Sequence, residues 1–196
     1  MTVGRPREFD PEHVEDVAMK LFWDRGFDGV SISDVTSATG VNRRSIYVEF
    51  GSKENLFDRA LRRYLAGPSA YTTDALTRPT AREVAEAMVH GAADTVSGEV
   101  NGCLAVGEAP GLAEFRNAAV HRLAERFDDA VADGELSGVD TLLLARWIAA
   151  VCQGIAIQAR SGASRADLHA VAELALAGWS SAASAGVNSR PRSRAE

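Results

Sequence analysis

Cysteine is scarce in this 196-residue chain: there are two, Cys103 and Cys152. Two thiols make no disulfide framework, and neither stands in a paired metal-ligand spacing, so a stapled secreted fold and a zinc module are both excluded. A reducing cytoplasm is the compartment this usage fits. The four histidines, His13, His90, His121 and His169, show no metal spacing either. No nucleophile elbow and no phosphate-cradling glycine loop occurs, so the residues offer no catalytic site, no metal site and no reason to expect a cofactor. The first ten residues, MTVGRPREFD, have charge but lack the apolar stretch of a secretory signal. The longest apolar run, TLLLARWIAAVCQGIAIQA over 141–159, has the length of a membrane span but carries Arg146, Gln153 and Gln158. A buried helix, and no membrane partner, is the expectation. Period-2 alternation and hairpin signals are missing too, so the predicted fold class is all-α.

Positive charge is not in excess. Lys and Arg number 21 against 27 Asp and Glu, a formal net charge of -6, which at first sight disfavours nucleic acid as a partner. The distribution changes that reading. Residues 1–66 hold 10 basic and 11 acidic side chains, residues 67–185 hold 8 and 15, and residues 186–196 hold 3 and 1. The acidity lies in the middle and later part, whereas the first third gathers its cations at particular places.

What is present is a series of well-marked helix starts. Asp10-Pro11-Glu12 supplies an N-cap, a first-turn proline and an early acid. Ser31 to Asp34, Thr80 to Glu83, Ser137 to Asp140 and Ser164 to Asp167 have the form of capping boxes, and Ser52 caps another helix. The predicted helices are 11–25, 32–39, 42–48, one after Ser52, and then 80–97, 103–109, 110–132, 140–161 and 165–184. The segment 67–79 reads as a connection, and 186–196, polar and proline-containing, as a disordered tail.

Two of these helices are short and joined by Thr39-Gly40-Val41-Asn42, the pattern of a helix-turn-helix. Val35, Ala38, Val41 and Ile46 are spaced to pack the pair on each other. That spacing leaves Asn42, Arg43, Arg44, Ser45 and Tyr47 toward solvent or DNA. Arginine binds a guanine edge through two parallel hydrogen bonds and also pairs with phosphate, so a doublet at the start of such a helix could do one of each. Lys53 stands in the first turn of the next helix, where backbone N–H groups favour an anion. Ser31 and Ser33 mark the start of the preceding helix, and Arg5 and Arg7 form a small basic arm of the kind that enters a minor groove. A solvated helix face accounts for the same doublet without DNA.

The stretch GFDGVSISDVTSATGVNRRSIYVEFGSKENLFDRAL resembles the DNA-binding region of the TetR family of bacterial transcriptional regulators, over residues 10–64. Gly26-Phe27, Gly40-Val41, Ile46-Tyr47, Phe50 and Ser52-Lys53-Glu54-Asn55-Leu56-Phe57 carry the resemblance. It implies an all-helical homodimer, with a helix-turn-helix domain over 1–50 and a ligand-binding and dimerisation domain over 51–185, whose segment 51–66 is the linking helix. It also implies a double-stranded DNA operator read as a palindrome, and a small-molecule effector that releases it. Two departures stand out. Arg43-Arg44-Ser45 replaces a Lys-Gly-Thr-like segment, and Val48-Glu49 replaces a pair of small or histidine residues. Glu49 would meet an unfavourable field at phosphate; it could accept from a cytosine amino group, pair with an arginine, or turn away.

Beyond residue 80 the residues speak more than the resemblance. Leu144, Trp147, Ile148, Val151, Cys152 and Ile155 form one helical stripe, and Leu168, Val171, Ala172, Ala175, Leu176 and Trp179 another. The short turn between them predicts antiparallel packing. Candidate ligand-lining residues are Met88, Gly91, Ala92, Cys103, Phe115, His121, Phe127 and Trp147, with His90 as a further polar contact; plain core is the competing account for each. Were they to enclose a cavity, its ligand would be largely apolar. Cys103, at the start of an expected helix, is either a thiolate sensor of oxidants or electrophiles, or a small buried hydrophobe. The leading expectation is thus a ligand-responsive regulator, most simply a repressor. The alternatives are a dimeric protein-interaction module with a degenerate DNA-binding domain, and a thiol-based sensor acting through Cys103.

Overall fold

The computed structural model describes residues 9–96 and 102–183, and all regular structure among them is helical. The order is α1 (Pro11–Arg25), α2 (Ile32–Thr39), α3 (Arg43–Phe50), α4 (Lys53–Ala66), α5 (Tyr71–Ala75), α6 (Ala81–Val96), a 3-10 turn (Leu104–Val106), α7 (Leu112–Ala132), α8 (Thr141–Arg160), α9 (Arg165–Ala177) and α10 (Trp179–Ala182). Two compact units result. The first contains residues up to Ala70 together with Cys103–Leu112; the second contains the rest. The sequence boundary at residue 50 therefore falls inside the first unit, which includes α4 and a segment returning from mid-chain. The basic arm with Arg5 and Arg7, and the tail 186–196, lie outside the described residues.

The first unit begins with caps that are written locally. The Asp10 side chain accepts from the Glu12 amide, and Pro11 fills the first helical position, where no N–H is required. Ser31 and Asp34 complete a reciprocal capping box at α2. Gly40 then ends α2 in the left-handed region at φ 72, which glycine alone adopts without cost, and its N–H bonds to the Thr36 carbonyl. This turn sets the angle at which α3 leaves. Val14, Ala18, Phe22, Val35, Ile46, Phe50, Leu56, Phe57 and Ala60 form the core. Phe57 sits edge-on to both Phe22 and Phe27, with centroids at 5.2 and 5.3 Å. Burying a side chain such as Phe22 contributes roughly 1.5–3 kcal/mol. Of the four residues expected to pack α2 on α3, Val35 and Ile46 are buried, Val41 is half-buried and Ala38 is exposed.

The second unit is organised on α6, which packs against α5, α8 and α9. Thr80 and Glu83 form the expected reciprocal bonds at its start, and Glu135, far along the chain, accepts a further hydrogen bond from the Ala81 amide at 2.7 Å. α8 and α9 pack on each other across the turn at 161–164. Leu144, Ile148 and Ile155 of α8, and Leu168, Ala172 and Leu176 of α9, are buried. Phe127 and Trp147 flank Trp179, with centroids at 5.9 and 6.5 Å.

Four expectations need correcting. The cap of α8 is Asp140, whose side chain accepts from the Leu143 amide at 3.0 Å, and not Ser137. The connection 67–79 contains the short helix α5. The helix expected over 103–109 is only a three-residue 3-10 turn, followed by Gly107 and Pro110. The long helix expected over 165–184 ends at Ala177, and a separate turn of helix begins at Trp179.

Candidate nucleic-acid interface

Helix α3 has a strict division of faces. Ile46 and Phe50 are buried, and Ser45 and Glu49 are half-buried. Arg43, Arg44, Tyr47 and Val48 are exposed, as is the cap residue Asn42. Positions i, i+1, i+4 and i+5 of a helix form one continuous arc, so these four side chains are presented together.

Within that arc the two arginines differ. The Arg43 guanidinium lies over the Tyr47 ring, 5.5 Å from its centroid, and donates to the Tyr47 hydroxyl at 3.4 Å. Arg44 has no polar partner among the described residues, so its planar donor fork faces outward. Asn42 accepts the Ser45 amide hydrogen bond at 2.8 Å, which fixes the first turn of α3 and leaves the Asn42 amide N–H groups as donors. Lys53 opens α4, with its ammonium 4.1 Å from the centre of the Phe27 ring. Ser31 spends its hydroxyl on the capping box with Asp34, and that hydrogen bond holds the Asp34 carboxyl below its ordinary value. Ser33 is exposed beside it.

Glu49 turns away from the arc and pairs with Arg59 of α4 at 3.4 Å. Arg59 also bonds Glu15 of α1 at 3.1 Å and lies over the Phe50 ring, 5.1 Å from its centroid. One turn on, Arg63 makes a two-point contact with Asp16 and reaches Glu12 and Glu15. The Arg63 hydrogen bond lowers the Asp16 pKa. Arg59 and Arg63 of α4 thus engage acids of α1 and α3. Sequence reasoning had no means of choosing Arg59 as the partner of Glu49, and it noted Val48 only as a departure without a role, although its offset of four from Arg44 was an available signal.

The residues proposed for ligand contact are not brought together as one group. Met88 and Ala92 are buried on α6, and the Met88 carbonyl accepts from the Cys152 thiol at 3.6 Å. A side chain at Gly91 would run into the Tyr71 ring. Phe127 is buried, Phe115 and Trp147 are half-buried, and His121 is exposed. Cys103 belongs to the first unit, where its sulfur accepts from the Tyr64 hydroxyl at 3.2 Å. Because only a 3-10 turn follows Cys103, the helical field that the thiolate reading required is not supplied. His90 faces Glu173 and stacks on His169. A groove of about 420 Å³ does exist along α8 and α9, lined by Val151, Gly154, Ile155, Leu168, Val171 and Leu174 among others, and it contains none of these candidates.

Comparisons with known proteins agree with this geometry. A sequence profile for "Bacterial regulatory proteins, tetR family" matches residues 16–60, from within α1 into α4. The chain is similar to the HTH-type transcriptional repressor ComR of Escherichia coli (strain K12), 32% identical over 185 residues that span 86% of this chain and 88% of the relative. The HTH-type transcriptional repressor BdcR of the same organism is 44% identical over 73 residues, 37% of each chain. Among solved structures, a cysteine mutant of the TetR family regulator CifR, complexed with 26-bp double-strand operator DNA, matches with a TM-score of 0.82 at 34% identity, over 89% of this chain and 100% of that one. These relatives are regulators of transcription and not enzymes. The presented cationic arc, the helix-turn-helix that carries it and a similarity running through both units lead to one conclusion: the chain belongs to the TetR family and is a DNA-binding transcriptional regulator.

Proposed function

We propose that this protein is a cytoplasmic homodimeric repressor that binds a palindromic operator through paired α3 helices and leaves it when a small, largely apolar molecule binds the second unit. The observation that carries the reading is the outward arc of α3, where Arg44 has no polar partner among the described residues while the neighbouring acid Glu49 is paired to Arg59. Arg43 or Arg44 reads a guanine edge and the other, with Tyr47 and Lys53, holds phosphate. Asn42, Ser31, Ser33 and Ser45 supply short polar contacts, and Arg5 and Arg7 reach the minor groove. The DNA-bound CifR mutant and the two repressor relatives support the same assignment.

Pairing of two copies is supported by the outer face of α8 and α9. Leu143 and Ile157 are each 54% exposed and Leu174 is 76% exposed, along helices whose other faces are buried. A second copy would cover this face, and a palindromic operator then requires the two α3 helices to lie about 34 Å apart, one DNA turn. Effector release then requires only that the molecule prefer the state that does not bind DNA.

Fluorescence anisotropy on DNA upstream of the protein's own gene tests the reading. Binding should weaken linearly on a log–log scale with salt, by about 0.9 units for each phosphate neutralised. Changing the guanine-reading arginine to alanine should cost about 1–3 kcal/mol at one position per half-site, while Lys53→Ala should weaken all sequences alike. In sedimentation, Leu174→Asp should yield a monomer that loses operator affinity. Sequence-blind, equal losses for both arginines, or a wild-type monomer, would contradict the assignment.

A further inference from the structure

Val48 is the most exposed large apolar side chain among the described residues, at 80%. A single exposed valine on a protein surface is ordinary. This one is not on an ordinary surface. It lies within the presented arc of α3, one helical turn after Arg44 on the same edge, whereas the other edge is occupied by the Arg43–Tyr47 stack. The two apolar residues that α3 gives to the core, Ile46 and Phe50, point the other way. Val48 therefore takes no part in holding α3 in place.

The chemistry of that position restricts what it can meet. Valine carries no donor or acceptor, so it makes no hydrogen bond to phosphate, sugar or a base edge. The apolar group a major groove presents is the C5-methyl of thymine. Valine is also stiff about χ1, so little rotamer freedom is lost when its methyl groups are pressed against a partner. Arg44 has the complementary property, a free planar fork suited to the O6 and N7 acceptors of guanine. Resting on the operator-binding reading above, we propose that Val48 is a specificity-determining residue that contacts a thymine methyl group beside the guanine read by Arg44, so that each half-site contains a required thymine. Arg43, held against Tyr47, then serves the DNA backbone.

The test uses the full chain. Duplexes that it retains are selected from a random pool, and the best is remade with each thymine replaced in turn by deoxyuridine, which removes only the C5-methyl group. Anisotropy titrations are run with wild type and with Val48→Ala, whose fold is checked by circular dichroism. At one symmetry-related thymine per half-site, deoxyuridine should weaken wild-type binding about fourfold, the factor expected for one buried methyl-sized group. Val48→Ala should bind the thymine and deoxyuridine duplexes within about 1.5-fold of one another, as the loss of that one apolar contact implies. Placing 5-methylcytosine at the same position should keep part of the wild-type preference over cytosine. Equal binding to every deoxyuridine duplex, or an undiminished thymine preference in Val48→Ala, overturns the methyl contact while leaving operator binding intact. Failure to select any duplex overturns the operator reading and this assignment with it.

Discussion

Replacing Gly91 with alanine sets two effects of known size against each other. Gly91 lies inside α6, and in a helix interior alanine is more favourable than glycine by about 1 kcal/mol. Helix propensity alone therefore makes Gly91→Ala a stabilising change. The tertiary contact opposes it. A Cβ at position 91 would stand 2.7 Å from Cγ and 2.9 Å from Cε2 of Tyr71, and closer still to its Cδ2. These are far inside van der Waals contact, and the obstacle is an aromatic ring, not the end of a flexible chain. Overpacking of this kind costs about 1–3 kcal/mol. The contact wins, and Gly91→Ala should be destabilised by up to about 2 kcal/mol, with a Tm lower by several degrees at most.

The decisive experiment is the same substitution in a Tyr71→Ala background. There the ring is gone, only propensity remains, and Gly91→Ala should raise stability by about 1 kcal/mol. The sign reverses, and the coupling between the two sites is about 1–3 kcal/mol. Urea titrations of the four proteins measure it, at one fixed protein concentration because the proposed pairing of two copies would make stability depend on concentration. A glycine lining open space would give the same increment in both backgrounds. Additivity within about 0.3 kcal/mol would refute the close approach of α5 and α6, and with it the account of why α6 carries a glycine there.

Two further outcomes follow from the first unit. On the proposed reading, Arg59→Ala should weaken operator binding by up to about fivefold, because Glu49 loses its partner beside the exposed arc of α3, and Glu49→Gln in that background should restore it; no recovery would mean that Arg59 acts on DNA directly. The carboxyl of Asp16 is held below its ordinary value by the Arg63 hydrogen bond, so the unfolded chain binds the more protons in that window. Its contribution is therefore complete above the ordinary carboxylate pKa of about 4 and is lost as pH falls through the lower folded value. The unfolding midpoint followed from pH 5 downward should drop less steeply in Asp16→Asn, and identical profiles would remove Asp16 from the acid response.

The parts of this fold that were legible in the sequence are those fixed within three or four residues. Asp10, Ser31, Ser52 and Ser164 cap the helices they were expected to cap, because an N-cap needs only its own side chain and an amide two or three positions on. What was not legible depends on distant partners. Five residues from Tyr71 to Ala75 are too few to hold a helix unaided, and α5 exists because it packs on α6. The segment after Cys103 is drawn against α1 and α4, a pairing no local pattern announces. In the candidate interface, the exposure of Arg43, Arg44 and Tyr47 followed from helical spacing. The choice of Arg59 as the partner of Glu49 did not, since the chain offers several arginines at comparable separations.

How a chain of net charge -6 presents a cationic face follows from what each basic residue is set against. Arg59 and Arg63 are matched with Glu12, Glu15, Asp16 and Glu49, and Arg62 with Asp58. Such half-exposed pairs each stabilise a fold by only about 0.2–1 kcal/mol, so they are a poor reason for the unit to hold together; the aromatic core does that. The larger effect is on the field, because Arg59 offsets the charge of Glu49 beside the exposed arc of α3. Arg43 and Lys53 are treated differently. They rest on the rings of Tyr47 and Phe27, and an aromatic face attracts a cation without cancelling its charge. The rings orient these two side chains and leave their charge uncancelled, as the proposed phosphate contacts require, and Arg44 stays exposed beside them. With a screening length of about 8 Å at physiological salt, what an approaching phosphate senses is this local arrangement and not the charge of the chain as a whole.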